Sequence, residues 1–215
     1  MDLNDKQILK KYNELPIGSI VFVYGKGFIS NGIKICQKFE SLSDMKELLK
    51  TVKTLDLSLY HPTHCEIKIG AGRDVSAEML GVMKVDFARL LKKEVGIAFG
   101  YPIMTGDKCL EQCLKIVEFS ESIVGKMYDY PGFLAFIQRL PIIGNFISKY
   151  LPVKLKEWTF AKFCSEACAD AYSLTDFITL TEAPAHMSPL ELERSVVGSI
   201  FMKYDVVRTI KGAKR

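Results

Sequence analysis

The stretch that decides the fold runs from His64 to Glu78 and reads HCEIKIGAGRDVSAE. Its first six residues alternate in polarity, which is typical of a β-strand with two unlike faces. Gly70 to Arg73 forms a tight connection with two glycines. A second strand is predicted from about Asp74 to Met83. The two strands are therefore predicted to form a β-hairpin.

The elements predicted around this hairpin define the fold class. They comprise a short helix at 4–14, strands at 20–24 and 95–103, a helix at 107–124, a helix from Cys164 to about Ser173, and closing strands within 196–209. The strands come in hairpins and late in the chain, and the helices are segregated from them. This order favours an α+β fold with a small antiparallel sheet over a doubly wound parallel sheet.

Composition limits the class of protein. Of the 215 residues 48% are hydrophobic, so a sizeable core is expected, and the net charge of +4 is too weak to indicate nucleic-acid binding. There is no basic segment followed by an apolar run at the start, and no apolar run of about 18 residues. A cytoplasmic protein is therefore predicted. Its six cysteines are expected to be free thiols, and no cofactor or metal is expected.

One domain is predicted over residues 1–215, with insertions at about 40–58 and 131–160. Residues 42–55 have helical spacing and many charges, and are interpreted as a surface helix. Residues 131–160 are apolar and interrupted by prolines and glycines. This second segment is interpreted as a packed connection, a lid that walls the substrate groove, or a membrane-touching loop. Membrane contact through it stays a hypothesis.

The segment FCSEAC at 163–168 contains the candidate nucleophile, Cys164. Ser165 and Glu166 are residues typical of the first turn of a helix. A thiol at a helix N-terminus faces free N–H groups and positive potential, which stabilise its thiolate. The alternative is a buried structural cysteine, which is the commoner case.

His64 is the candidate base, and the register of the hairpin decides its partner. A plain four-residue loop pairs His64 with Met79, whereas a three- or five-residue loop, or one bulge, brings Glu78 onto the face of His64. Glu66 shares that face by strand alternation and competes for the same role. Each glutamate could instead be a solvated strand residue. His61 and His186 are interpreted as exposed loop residues.

These motifs, taken in order, resemble those of the circularly permuted NlpC-type papain-like cysteine peptidases. This branch includes YiiX-like proteins, poxviral and phage relatives, and lecithin:retinol acyltransferase-like enzymes. The matching segments are Gly18-Ser19-Ile20-Val21-Phe22, Ser30 to Gln37, Thr63-His64 with its strand, Glu78 with Gly81-Val82, Gly125-Lys126-Met127-Tyr128-Asp129, Phe163-Cys164-Ser165-Glu166 and Ser188-Pro189-Leu190.

The resemblance implies a permuted papain-like fold and a Cys-His-Glu triad. Cys164 would attack a carbonyl, His64 would transfer the proton, and Glu78 would orient His64. Tyr128 and Ser165 would assist at the oxyanion. The implied activity is hydrolysis of an amide bond (peptide or isopeptide) or of an ester, through a thioester, with a peptide, amide or acyl substrate and no cofactor.

The chain departs from the family pattern at several points, among them the two predicted insertions. Cys65 and Glu66 replace the usual apolar residue and glycine after the histidine. The acyltransferase relatives usually carry Asn-Cys-Glu-His at the nucleophile, which this chain lacks, so an acyltransferase is disfavoured. The alternative function is a non-catalytic or acyltransferase-like protein of the same fold that binds lipid, a membrane or a protein partner. A second alternative is a zinc site of Cys164, Cys168 and His64.

Overall fold

The computed structural model describes residues 3–25, 61–93, 95–129 and 163–209. Within these ranges the strands are β1 (Ile20–Tyr24), β2 (His64–Gly70), β3 (Arg73–Glu78), β4 (Gly81–Asp86), β5 (Gly96–Pro102) and β6 (Met202–Arg208). The helices are α1 (Asp5–Glu14), α2 (Ala88–Leu91), α3 (Asp107–Ser122), α4 (Cys164–Ser173) and α5 (Pro189–Val197), with a 3₁₀ turn at Pro184–His186.

The described strands form one sheet in the order β4-β3-β2-β1-β5-β6, and every neighbouring pair is antiparallel. The fold combines this antiparallel sheet with several helices, so the predicted α+β class is confirmed. The helix that begins at Cys164 packs against β2 and β3, next to α3. The candidate nucleophile therefore starts an element that lies directly on the predicted hairpin.

The hairpin itself is confirmed, and it contains a bulge. Gly70 pairs with Arg73 across a loop of Ala71 and Gly72, but the register then shifts, and Lys68 pairs with Asp74. Gly72 has a φ of +67°, a conformation that glycine adopts without steric cost. The shift places Glu66 opposite Ser76. In this register Glu78, and not Met79, comes opposite His64.

Two predicted boundaries were wrong. The strand expected from Asp74 to Met83 is two strands, because the chain turns at Met79 and Leu80. Gly81 allows this turn: its φ is +122°, and a Cβ there would lie 2.6 Å from the Lys126 carbonyl oxygen. Near the C-terminus, a strand was expected to begin at residue 196, but residues 196 and 197 are the last two residues of α5. The Ser188 side chain caps the N-terminus of this helix.

The sheet has two unlike faces. Helices α3, α4 and α5 cover one face, and their core includes Phe22, Cys65, Ile67 and Cys164. Helix α1 and α2 cover the other face, where the apolar core includes Tyr12 and Phe87, stacked with their ring centroids 3.9 Å apart. On β2 and β3 this second face carries polar side chains (His64, Glu66, Lys68, Asp74, Ser76 and Glu78). Most of them are buried under the helices.

Both predicted insertions, at about 40–58 and 131–160, lie wholly outside the described residues, as does the helix expected within Ser30 to Gln37. No helix in the described ranges is both long enough and apolar enough to cross a membrane.

Candidate active site

Cys164 is the first residue of α4, as the sequence predicts. Phe163 before it is extended, with φ −97° and ψ 169°, and its N–H donates to Glu166 Oε2 at 3.4 Å. Glu166 thus closes the first turn, where an acidic side chain also matches the helix dipole. Cys164 is 6% exposed, so its sulfur lies in the sheet–helix interface near the positive end of the helix.

The Cys164 thiol and the His64 imidazole are near enough for each to shift the pKa of the other. A hydrogen bond from Cys65 is the largest cause that holds the pKa of Cys164 well below its usual range. Burial opposes it, and the charge of His64 adds to it. For His64, burial lowers the pKa, but Cys164 and Glu66 outweigh it and hold the pKa of the imidazole well above its usual value. Both shifts favour a thiolate beside an imidazolium.

A serine also holds the imidazole of His64. His64 Nε2 lies 2.8 Å from Ser76 Oγ, and the Ser76 hydroxyl donates to Glu78 Oε1 at 3.0 Å. Because the hydroxyl has one proton, which it gives to Glu78, it accepts from His64 Nε2–H. This chain fixes a proton on Nε2. Glu78 therefore reaches His64 mainly through Ser76.

Glu66 is the nearer of the two carboxylates. Its Oε1 lies 3.3 Å from His64 Nε2, compared with 3.8 Å for Glu78 Oε1. The Glu66 side chain is fully buried, whereas that of Glu78 is 35% exposed. The idea that Glu66 is a solvated strand residue was therefore wrong. Both glutamates predicted to orient His64 lie beside it, and Glu66 is the closer of the two.

Arg89 of α2 joins these two carboxylates. Its Nη2 lies 2.5 Å from Glu66 Oε1 and 2.8 Å from Glu78 Oε1. For Glu78, burial raises the pKa, but His64 and Arg89 outweigh it, so the pKa of this carboxyl is lowered. Arg89 thus keeps the negative charge beside His64 in place while holding both side chains in one geometry.

The predicted auxiliary residues lie close to the same core. Tyr128 is half-buried and packs against the apolar cluster that contains Cys164. Ser165 is fully buried, and its hydroxyl oxygen has no hydrogen-bond partner within the described ranges. Their roles at an oxyanion stay predictions. His61 and His186 are half-buried and not exposed as expected.

A group of possible metal ligands surrounds His64. Among the described side chains, His64, Glu66 and Glu78 offer ligand atoms within 4.8 Å of one another. Arg89 already lies against both carboxylates, so their charge is balanced without a cation. The zinc set of Cys164, Cys168 and His64 does not converge within that distance in the same part of the chain. The donors therefore do not fit the predicted zinc alternative.

Sequence reasoning missed three residues of the site. Ser76 could have been found, since strand alternation places it on the face of Glu78. Cys65 could have been found only by knowing that α4 packs on β2. Arg89 left no signal, because it lies in a separate four-residue helix that follows β4.

No family model matches the chain, and no curated protein sequence matches it.

Proposed function

We propose that the chain is a cysteine hydrolase that cleaves an amide bond, in a peptide or isopeptide, or an ester bond, with a permuted papain-like arrangement of the site. The observation that carries this proposal is the position of Cys164 at the start of α4, where the charge of His64 helps to lower the pKa of its thiol. A low thiol pKa beside a high imidazole pKa is the resting state that such a nucleophile needs.

In the first half of the reaction, the Cys164 thiolate attacks the carbonyl carbon and the carbonyl oxygen becomes an oxyanion. The N–H groups at the start of α4 are the donors suited to bind it, with Tyr128 as a side-chain candidate. His64 then gives its proton to the leaving amine or alcohol. The carbon–heteroatom bond breaks, and a thioester on Cys164 remains.

In the second half, neutral His64 takes a proton from water, and the resulting hydroxide adds to the thioester carbonyl. Collapse of this intermediate releases the carboxylic acid and returns the thiolate, while His64 keeps the proton. The starting ion pair is restored. Ser76, Glu66 and Glu78 serve this cycle by holding the ring and by stabilising its charged form.

The test combines labelling with turnover. We expect iodoacetamide at about pH 6 to label Cys164 in preference to the other cysteines, because an ordinary thiol with a pKa of about 8.5 is almost wholly protonated there. A panel of fluorogenic amides and esters would then be screened. Cys164→Ala should abolish both labelling and turnover.

The matched control is Cys109→Ser, a buried cysteine on α3. It should leave labelling and turnover within about twofold, as expected of a change away from the reacting groups. Labelling that spreads evenly over all cysteines, or equal loss in the two variants, would overturn the proposal.

A further inference from the structure

Four large apolar side chains are exposed together at one end of the sheet. They are Ile103 just after β5, Val197 at the end of α5, and Ile200 and Phe201 in the loop that leads into β6. Their exposed fractions are 52%, 59%, 79% and 38%, respectively. The Ile103 N–H donates to the Phe201 carbonyl oxygen at 3.0 Å, which joins the two sides of the group. These four residues form the Phe201 patch.

The loop that carries this patch is held in a fixed shape by Ser199. The Ser199 N–H donates to the Val196 carbonyl oxygen at 3.2 Å, and the Ser199 hydroxyl donates to the carbonyl oxygen of Phe177. The same hydroxyl accepts from the Phe201 N–H at 3.1 Å. The polar groups of the loop are thus bonded to the protein, while the side chain of Ile200 stands out from the surface. Single exposed apolar residues are ordinary, but a contiguous group of them marks an interaction surface.

Two exposed cations flank the patch. Arg194 lies in the last turn of α5, and Lys203 follows Phe201 by two residues, on the same side by strand alternation. Neither forms an ion pair with a side chain of the described ranges. The acidic residues nearest to them in sequence already have partners, since Asp205 is paired with a lysine at 2.8 Å and Glu193 accepts from two tyrosine hydroxyls. The surroundings of the patch therefore carry an excess of positive charge.

We propose that the Phe201 patch, together with Arg194 and Lys203, binds the surface of a membrane that contains anionic lipids. Protruding apolar side chains can enter the boundary between lipid headgroups and acyl chains, and flanking cations bind the anionic headgroups above them. Ile200 is too exposed to lie in a groove, and the excess charge is of the sign that an anionic surface attracts. This inference does not rest on the proposed hydrolase activity.

The patch lies at the opposite end of the sheet from the candidate active site. His64 pairs with Val23, and Val23 pairs with Ile97 near the start of β5. Ile103 follows Ile97 by six residues, which corresponds to about 20 Å along the strand direction. A chain bound through the Phe201 patch would therefore hold the surroundings of His64 away from the lipid surface.

The experiment measures cosedimentation of the whole protein with phosphatidylcholine vesicles that contain about 30% phosphatidylserine. The wild type should bind these vesicles at least tenfold more strongly than vesicles of phosphatidylcholine alone. Replacing Ile200→Ser and Phe201→Ser together should lower the partition coefficient at least tenfold. Binding is independent of turnover, so Cys164→Ala should bind like the wild type even if no substrate is found. Absence of vesicle binding by the wild type would overturn the proposal.

The matched control is Leu80→Ser, because Leu80 is 92% exposed but lies in the turn between β3 and β4. It should bind like the wild type. Equal loss in this control, or full binding by the variant with both serines in the Phe201 patch, would place the contact elsewhere and overturn the proposal.

A second pair of changes tests the same surface without altering its apolar contacts. Arg194→Gln and Lys203→Gln should each weaken binding to the phosphatidylserine vesicles about fivefold, the value of one cation near an anionic surface. Sedimentation velocity without vesicles distinguishes the other occupant. A dimer that the serine changes dissociate, combined with no vesicle binding, would assign the patch to a second copy of the chain and refute the membrane contact.

Discussion

The polar face of β2 and β3 carries two buried ionisable clusters with different partners. The His64 cluster consists of His64, Glu66, Ser76, Glu78 and Arg89, and its imidazole interacts electrostatically with Cys164. The Lys68 cluster consists of Lys68, Asp74 and Tyr12. Both lie on the same two strands, only a few residues apart.

The Lys68 cluster is hydrogen-bonded to the backbone of α1. Lys68 Nζ donates to the carbonyl oxygens of Tyr12 and Leu15, each at 2.6 Å, and to that of Asn13 at 3.3 Å. These carbonyls belong to the C-terminal end of α1, where a cation also opposes the helix dipole. Tyr12 donates its hydroxyl proton to Asp74 Oδ1 at 2.7 Å. Helix α1 is thereby fixed to the sheet.

The comparison shows that burial of charge does not by itself mark a functional site. In the Lys68 cluster, the Lys68 ammonium group donates its hydrogen bonds to backbone carbonyls. The His64 cluster instead holds a titratable ring that is 21% exposed and whose pKa is raised by Cys164. We expect the Lys68 cluster to govern stability and the His64 cluster to govern reactivity.

The largest expected effect comes from His64→Gln compared with Lys68→Met. His64→Gln should lower turnover by about a thousandfold, through loss of the proton carrier. It should slow labelling of Cys164 near pH 6 by at least about tenfold, since the thiol pKa rises. Lys68→Met should leave the labelling rate within about twofold but should lower the free energy of unfolding by about 3 kcal/mol. Stopped-flow labelling and urea unfolding measure the two quantities.

This contrast would fail if Lys68→Met slowed labelling as much as His64→Gln does. The two clusters would then act as one network.

The next effect concerns pH and Asp74. Burial and the charge of Glu66 raise the pKa of Asp74 to about 8, against the opposing effects of Tyr12, Arg89 and Lys68. Between about pH 4, the unfolded value, and pH 8, the folded state keeps a proton that the unfolded state has lost. The contribution of Asp74 to stability is therefore present at low pH and is lost as pH rises through this window, by about 1.4 kcal/mol per unit.

Asp74→Asn keeps the shape and the acceptor for Tyr12 but cannot ionise. The free energy of unfolding of this variant should fall less steeply with pH than that of the wild type, as measured by urea unfolding at several pH values between 5 and 8. Lys68→Met, which retains Asp74, should keep a falling slope. Parallel curves for Asp74→Asn and the wild type would show that Asp74 titrates near its ordinary value.

The smallest effect separates the two carboxylates beside His64. Glu66→Gln should lower the pKa of His64 by about one unit, and Glu78→Gln by about half a unit, because Glu66 is closer and fully buried. If the pKa of His64 is lower, the imidazole loses its proton at a lower pH, and the ion pair with Cys164 is lost there as well. Titration of His64 by NMR measures the shift. The opposite ranking would return the main orienting role to Glu78, through Ser76.

The sequence by itself determined the local elements that carry the candidate site. Alternation of polarity predicts the strand of His64, glycines predict the hairpin loop, and first-turn residues predict that a helix begins at Cys164. Each of these signals depends on neighbours within a few residues, since helix and strand periods and turn conformations are local properties. The α+β class follows from their order along the chain.

Tertiary structure alone decided how these elements meet. The bulge between Lys68 and Gly70 brings Glu78 opposite His64, because a one-residue shift reverses which side chains share a face. The packing of α4 on β2 brings Cys65 and Cys164 into one buried core cluster, and Arg89 reaches both carboxylates from a separate helix. These contacts join residues that are distant in sequence or depend on a register that no local pattern encodes. The sequence could thus predict Cys164 and His64, whereas only the fold determined their partners.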